Sequence, residues 1–279
     1  MDPIKRALRR FLRRRGYDIV KRGYPMGFTG SELTAGRPHV LVATHHKTGT
    51  VWMMSVFSAI ARRTGSAFEN INRYRDPSRV RDVIQSAINA DHRHILLDWN
   101  AEFGDVDLPP RIRGIHLIRD PRDVVVSGAK YHTWSTERWL HEPRDEFGGL
   151  SYQEKINRCA SADERQLFEL DYKAKDTIER MLAFSDRGVF RTVKYESLIR
   201  DDNMIDWHAI LVFLGFRGPE LIVALEEVYR KSLFGGFDPR SRRHIHDGAV
   251  EQWKSSMSLA VQAAFRARFP DALQRLGYE

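Results

Sequence analysis

The feature that most constrains this chain is an alternation. Strand-sized β-branched or aliphatic runs are separated by segments whose apolar residues recur at helical spacing. His39 to Thr44, Ala67 to Asn72, His94 to Asp98, Gly114 to Ile118 and Val189 to Lys194 read as strands. Thr50 to Arg63, Ser78 to Ala90, a segment from about Asp123, Asp163 to Ser185, Ile205 to Arg230 and Leu259 to Leu276 read as helices. Strand, crossover helix, strand, repeated, predicts an α/β fold of three layers, a mostly parallel central sheet with helices on both faces. Ligands of such sheets bind beyond the carboxyl ends of the strands, so the strand exits are the places to search.

Charge separates a second part of the chain from this body. Lys and Arg number 45 against 37 Asp and Glu, a formal +8. Residues 1–23 hold nine of the basic and two of the acidic residues, leaving 36 against 35 for the rest. A nucleic-acid binder would carry its basic face through the folded body, so this distribution predicts no nucleic-acid partner. Ile4, Ala7, Leu8, Phe11 and Leu12 fall at i, i+3, i+4, i+7 and i+8 with arginines on the other face, predicting a basic amphipathic helix over residues 4–15. A Gly/Pro-rich connector follows from Gly23 to Pro38. We therefore divide the chain into residues 1–36, helix and connector, and residues 37–279, the domain. A helix of that kind suits an anionic membrane surface. The longest apolar runs are strand-sized, and the lone Cys159 permits neither an intrachain disulfide nor a thiolate metal cluster. These features predict a cytoplasmic protein, peripheral at the inner membrane face if residues 1–23 dock there, with no metal.

The first strand runs directly into Thr44-His45-His46-Lys47-Thr48-Gly49-Thr50-Val51-Trp52. A strand, a tight turn with Lys, Gly and two Thr, then a helix is the arrangement that grips phosphate. Backbone N–H groups and the positive helix end face the anion, Lys47 adds a mobile charge, and the Thr48 and Thr50 hydroxyls add donors. It differs from G-x-x-x-x-G-K-[ST], because Thr44, His45 and His46 stand where glycines would be. The strand from Gly114 enters Arg119-Asp120-Pro121-Arg122-Asp123-Val124-Val125-Val126-Ser127, which puts a guanidinium and a hydroxyl near another strand exit. Arginine suits forked phosphate recognition, and Asp123 is placed to cap the helix that follows.

These two segments together strongly resemble the sulfotransferases that use 3′-phosphoadenosine 5′-phosphosulfate (PAPS). Val193-Lys194-Tyr195-Glu196-Ser197-Leu198, Phe213-Leu214-Gly215-Phe216 and the stretch from Gly248 to Trp253-Lys254 are similar to later family segments, in family order. The resemblance implies a P-loop-like nucleotide fold and transfer of the sulfuryl group of PAPS to a hydroxyl. Lys47 would contact the oxygen bridging sulfur and the 5′-phosphate; Thr48, Gly49, Thr50 and Val51 would hold the phosphosulfate. Trp52 would stack on adenine with Tyr195 near the base, and Arg119 and Ser127 would bind the 3′-phosphate.

Two parts of the pattern differ. The Arg-Lys-Gly that closes over the 3′-phosphate in the family is His246-Asp247-Gly248 here, and Arg242 and Arg243 just upstream are candidates for the missing charge. No histidine ends the strand before the second phosphate segment. The general base is therefore open among Asp98 at that strand's exit, Glu69 after the first crossover helix, and His46 beside Lys47. Aromatic and polar residues mix from Gly128 to Trp139, which suits a sugar or other polyol acceptor as well as a packed surface loop, and the acceptor expected is a carbohydrate or glycolipid. The alternatives are a P-loop kinase-like phosphotransferase, disfavoured by the absent glycines, and a non-catalytic membrane- or nucleic-acid-binding module, disfavoured by the balanced charge of residues 24–279.

Overall fold

The computed structural model describes residues 36–73, 77–103, 106–109, 111–235 and 249–279. The predicted N-terminal helix, the connector up to residue 35, and Arg242, Arg243 and Gly248 lie outside the described residues. Five strands, β1 (His39–Ala43), β2 (Ala67–Asn70), β3 (His94–Asp98), β4 (Ile112–Ile118) and β5 (Phe190–Lys194), form one sheet in the order β2-β3-β1-β4-β5. The sheet is parallel, with helices around it, as the alternating pattern predicts. All five residues of β1 are buried, which explains why it reads as a continuous apolar run rather than an alternating one. Registration sets Ala43 opposite both Asp98 and His116, so β1 and β3 end level with one another and β4 runs on to Ile118.

The chain folds as two compact units, and neither is a continuous stretch of sequence. Among the described residues, the first takes those up to His45, those within Gly49–Leu117 and those from Ser185 to Gly235. It holds the sheet up to Leu117, with α1 (Thr50–Thr64) and α2 (Pro77–Ile88) in the crossovers. α1 places Met53, Val56, Phe57 and Ile60 in the core, at helical spacing. Arg93, at the entrance to β3, is wholly buried in this unit. It pairs with buried Glu220, donates from Nε to Pro38 O (2.9 Å) and from Nη2 to Gly215 O (3.1 Å), and lies 4.3 Å from the Phe216 ring centroid.

The second unit takes His46–Thr48, Ile118–Phe184 and Ala249–Glu279. Its helices include α3 (Pro121–Tyr131), α4 (Tyr152–Asn157), α5 (Ala162–Asp171) and α6 (Lys173–Ala183). Val124, Val125 and Val126 of α3 share a core with Leu170, Ile178, Val261, Phe265 and Leu273. The predicted helix from Asp163 to Ser185 is broken at Tyr172, whose backbone leaves the helical region (φ −128°, ψ −106°). Its ring packs 4.6 Å from Phe168 and 5.0 Å from Phe147, and tertiary packing overrides the local helical pattern. The cap of α3 also differs from the expectation. Asp120 fills that place, accepting from the Arg122 N–H at 2.9 Å, with Pro121 at the first helical position. Asp123 lies one turn inside and accepts the Trp253 N–H at 2.9 Å.

Candidate active site

In the first unit the loop begins at Thr44, whose N–H donates to Asp98 O at 2.7 Å. Thr50 donates its hydroxyl to His45 O at 3.0 Å and so closes the turn on itself. Gly49 caps α1 with φ +111°, and no side chain caps this end of the helix. A Cβ on Gly49 would stand 3.0 Å from Cδ2 of Tyr195. Glycine is thus required twice, by the left-handed backbone and by the close approach of the ring. Gly49→Ala is expected to cost about 1–2 kcal/mol of stability and to open the loop. Thermal unfolding measures the first effect, and hydrogen exchange at the loop amides the second.

Trp52 is 2% exposed. Its Nε1–H donates to Lys231 O at 2.8 Å, and its ring meets Tyr195 and Trp207 edge-on at 6.0 and 5.6 Å. Trp52 and Tyr195 therefore brace α1 and Gly49, and Trp52 presents no open face to an adenine; here the geometry departs from the sequence-based role. Asp98 is likewise a frame residue. Its carboxylate accepts from Asn72 Nδ2, Asn100 N and Glu102 N, each at 2.8 Å, and anchors the turn after β3. Glu69 lies in the middle of edge strand β2, paired in register with Leu96 and half-buried.

The second unit assembles the charged part. Lys47 has a left-handed backbone (φ +65°), uncommon for a residue with a side chain. Its ammonium lies 3.4 Å from the centroid of the Tyr131 ring, and Tyr131 donates its hydroxyl to Glu137 Oε1 at 2.8 Å. Burial, and next the neighbouring Arg119 guanidinium, push the Lys47 ammonium down to about 7. Arg119 Nη1 donates to Lys47 O and Nη2 to Ala249 O, both at 3.1 Å, and Asp123 lies 3.7 Å from Nη2. Arg119 is thus the brace that sets the Lys47 backbone, a role a lysine's single ammonium would not fill. The Arg122 guanidinium grips Asp120 and covers the Trp253 ring at 3.6 Å. Thr48 is buried; Ser127 sits half-buried on α3.

Beside Lys47, a chain of buried polar groups runs into the unit. His46 Nε2 meets His132 Nε2 at 2.8 Å, and His132 Nδ1 meets Glu169 Oε1 at 2.5 Å. Tyr152 donates its hydroxyl to the same carboxylate oxygen at 3.0 Å. His46 was visible in the sequence as a candidate; His132 and Glu169, 86 residues and more downstream, were not, since no local spacing connects them. In the first unit, His45 and His116 join through their Nε2 atoms at 2.7 Å. Burial holds the His116 imidazole down at about 3, so it is neutral.

The description of a sulfotransferase domain matches residues 37–277 of this chain. The chain belongs to the sulfotransferase family. No curated protein sequence matches the sulfotransferase. Among solved structures, mouse sulfotransferase SULT7A1 complexed with PAP is 16% identical and superimposes with a TM-score of 0.57, over 90% of this chain and 94% of that one. Retinol dehydratase in complex with androsterone and the inactive cofactor PAP is 16% identical, with a TM-score of 0.50, over 89% of this chain and 82% of that one. At that identity the likeness is one of fold. Among the described residues of the sulfotransferase, no helix is long and apolar enough to cross a membrane.

Proposed function

We propose that the chain transfers the sulfuryl group of PAPS to a hydroxyl of a carbohydrate or glycolipid. The observation that carries this reading is the placement of Lys47: a partly desolvated ammonium, fixed by a left-handed backbone whose carbonyl Arg119 holds, two residues ahead in sequence of Gly49, where no side chain caps the helix. Such a loop fits an anion in its donor set and in its bare glycine. PAP in both structural neighbours supports PAPS as the donor. Lys47, Thr48, Gly49, Thr50 and Val51 would hold the phosphosulfate, with Arg119 and Ser127 toward the 3′-phosphate.

Sulfuryl transfer is in-line displacement between oxygens. The acceptor oxygen forms a bond to sulfur, and the bond from sulfur to the bridging phosphate oxygen breaks, leaving its electron pair and negative charge on that oxygen. Positioning and charge stabilisation therefore do most of the work. Lys47 supplies the cation at the leaving oxygen, while the α1 amides hold the phosphate. The sugar assignment rests on the aromatic wall of the second unit. Tyr131 and Trp139 ring centroids lie 6.1 Å from that of His46, and half-exposed Trp134 meets Tyr131 edge-on at 5.1 Å.

Calorimetry with adenosine 3′,5′-bisphosphate tests the donor. Binding is expected, weakened roughly 10–100-fold by Lys47→Ala with Arg119→Ala; no binding, or undiminished binding by the double variant, would refute the reading. Screening glycan and lipophilic alcohol acceptors with labelled PAPS tests the acceptor, and transfer to lipophilic alcohols alone would exclude the carbohydrate. The free Lys47 value of about 7 also predicts proton linkage. Above that pH the free protein holds a neutral amine there, and a bound anion raises its affinity for a proton. Binding at about pH 8 should take up close to one proton, weaken as pH rises, and lose the uptake in Lys47→Ala. Titration in buffers of different ionisation enthalpy measures it.

A further inference from the structure

We infer that His46 is the proton acceptor of the transfer and that a buried His132–Glu169 pair is the positioning device that fixes its tautomer. The inference rests on reading the chain as a hydroxyl sulfotransferase. Its geometry lies wholly within the second unit. His132 and Glu169 are fully buried, and the His46 and His132 rings are nearly parallel (11°) with centroids 5.0 Å apart. Gln153 Nε2 donates to the His132 backbone carbonyl at 3.0 Å, and the Trp139 and Tyr152 rings meet the His132 ring edge-on at 5.2 and 5.4 Å, so the middle ring of the chain is clamped by both.

The direction of each hydrogen bond follows from what its groups can do. The Tyr152 hydroxyl oxygen receives the Lys173 N–H at 3.4 Å and gives its own proton to Glu169. An ionised carboxylate only accepts, so His132 carries its proton on Nδ1 and presents a lone pair at Nε2. His46 must then donate from Nε2, which leaves its lone pair on Nδ1. Among the described residues, nothing donates to that nitrogen. A carboxylate that orients a histidine so that its far nitrogen can take a proton is the logic of the serine hydrolase triad, lengthened here by one ring.

The surroundings keep His46 available as a base. Burial first, then His132, Lys47 and Lys173, push its imidazole well below the ordinary range, so it is neutral near pH 7. Tyr131 and Trp139 are the other groups that face it. In the reaction the acceptor hydroxyl gives its proton to Nδ1 as its oxygen bonds to sulfur; the resulting imidazolium donates to His132, and Glu169 balances the charge through that ring. The leaving oxygen keeps its electron pair opposite Lys47, the next residue in the chain. Base and leaving-group cation thus share one loop.

Glu169 is held for more than packing. Its Oε2 is buried without a hydrogen-bond partner among the described residues, and it faces bare backbone, since a Cβ on Gly128 would come within 2.7 Å of it. A half-satisfied buried carboxylate is costly, which a purely structural contact would not require.

The test uses the full chain labelled with nitrogen-15 in histidine. At neutral pH the wild type should show His132 protonated on Nδ1 and His46 on Nε2, and Glu169→Gln should disturb both patterns. With the acceptor found by the labelled-sulfate screen, His46→Asn should lower kcat about 10²–10⁴-fold, and Glu169→Gln at least about 10-fold. Their affinity for adenosine 3′,5′-bisphosphate should stay within about threefold of wild type. Glu169→Gln should also move the acidic limb of the rate profile to lower pH, because the negative charge behind the imidazolium is gone. A His46 protonated on Nδ1 in the wild type, or a His46→Asn variant within about twofold of the wild-type kcat, overturns the relay. The tautomer pattern needs no substrate, so a wild type that fails to bind adenosine 3′,5′-bisphosphate refutes the sulfotransfer reading separately.

Discussion

Lys47→Ala is expected to slow sulfuryl transfer by about 10²–10³-fold while leaving thermal stability unchanged or slightly raised. Charge appears on the bridging oxygen only as the bond to sulfur breaks, so a fixed cation there acts on the transition state more than on the bound ground state. The fall should therefore appear chiefly in kcat. Stability should not suffer, because the Lys47 ammonium forms no ion pair among the described residues and burial already pushes it down to about 7. Lys47→Gly should be the more stable of the two variants, since glycine relieves the left-handed backbone at φ +65°. Single-turnover transfer with thermal melts decides the matter, and a kcat within about threefold of wild type would remove Lys47 from the mechanism.

Arg93→Leu is expected to cost about 3–5 kcal/mol, with no direct effect on the chemistry. The guanidinium replaces its lost water with Glu220, Pro38 O, Gly215 O and the Phe216 ring, and among the described residues Glu220 has only the more exposed Arg37, 3.8 Å away, as a second cation. Leucine in place of Arg93 would strand a carboxylate that is 1% exposed. Burial already pushes Glu220 upward against the pull of Arg93. In the variant its folded-state value rises further above the unfolded one, so stability falls as pH rises through the neutral range and partly returns on acidification. The double replacement Arg93→Leu with Glu220→Leu should lose much less than the single one. Melting temperatures at two pH values give both comparisons, and a melting temperature of Arg93→Leu equal to wild type would refute the argument.

The sheet and the two loops at its strand exits were legible in the sequence because they depend on neighbours along the chain. A run such as Val40-Leu41-Val42-Ala43 is strand-sized and apolar, and turn chemistry at its exit is local. β2 ends at Asn70 rather than Asn72, and β4 starts at Ile112 rather than Gly114, differences set by pairing partners that periodicity does not report. What was not legible is what tertiary contact decides. Trp52 read as a ligand platform, but Trp207 and Lys231, more than 150 residues away, bury it. Asp98 read as a base, but Asn72 and the Asn100 and Glu102 amides occupy its oxygens. His46 was legible only as a histidine beside a lysine, since its meaning lies with His132 and Glu169.

The discontinuity of the second unit also sets an order of events during synthesis. His46, Lys47 and Thr48 leave the ribosome early, but the core they join is completed by Val261, Phe265, Phe269, Ala272 and Leu273, among the last residues made. The Arg119 brace likewise waits for Ala249, and Asp123 for the Trp253 amide. The nascent chain can thus pair strands before residues 46–48 have a fixed shape. A chain stopped after Gly248 would lose the Ala249 and Trp253 contacts and this core without losing any residue assigned to touch PAPS.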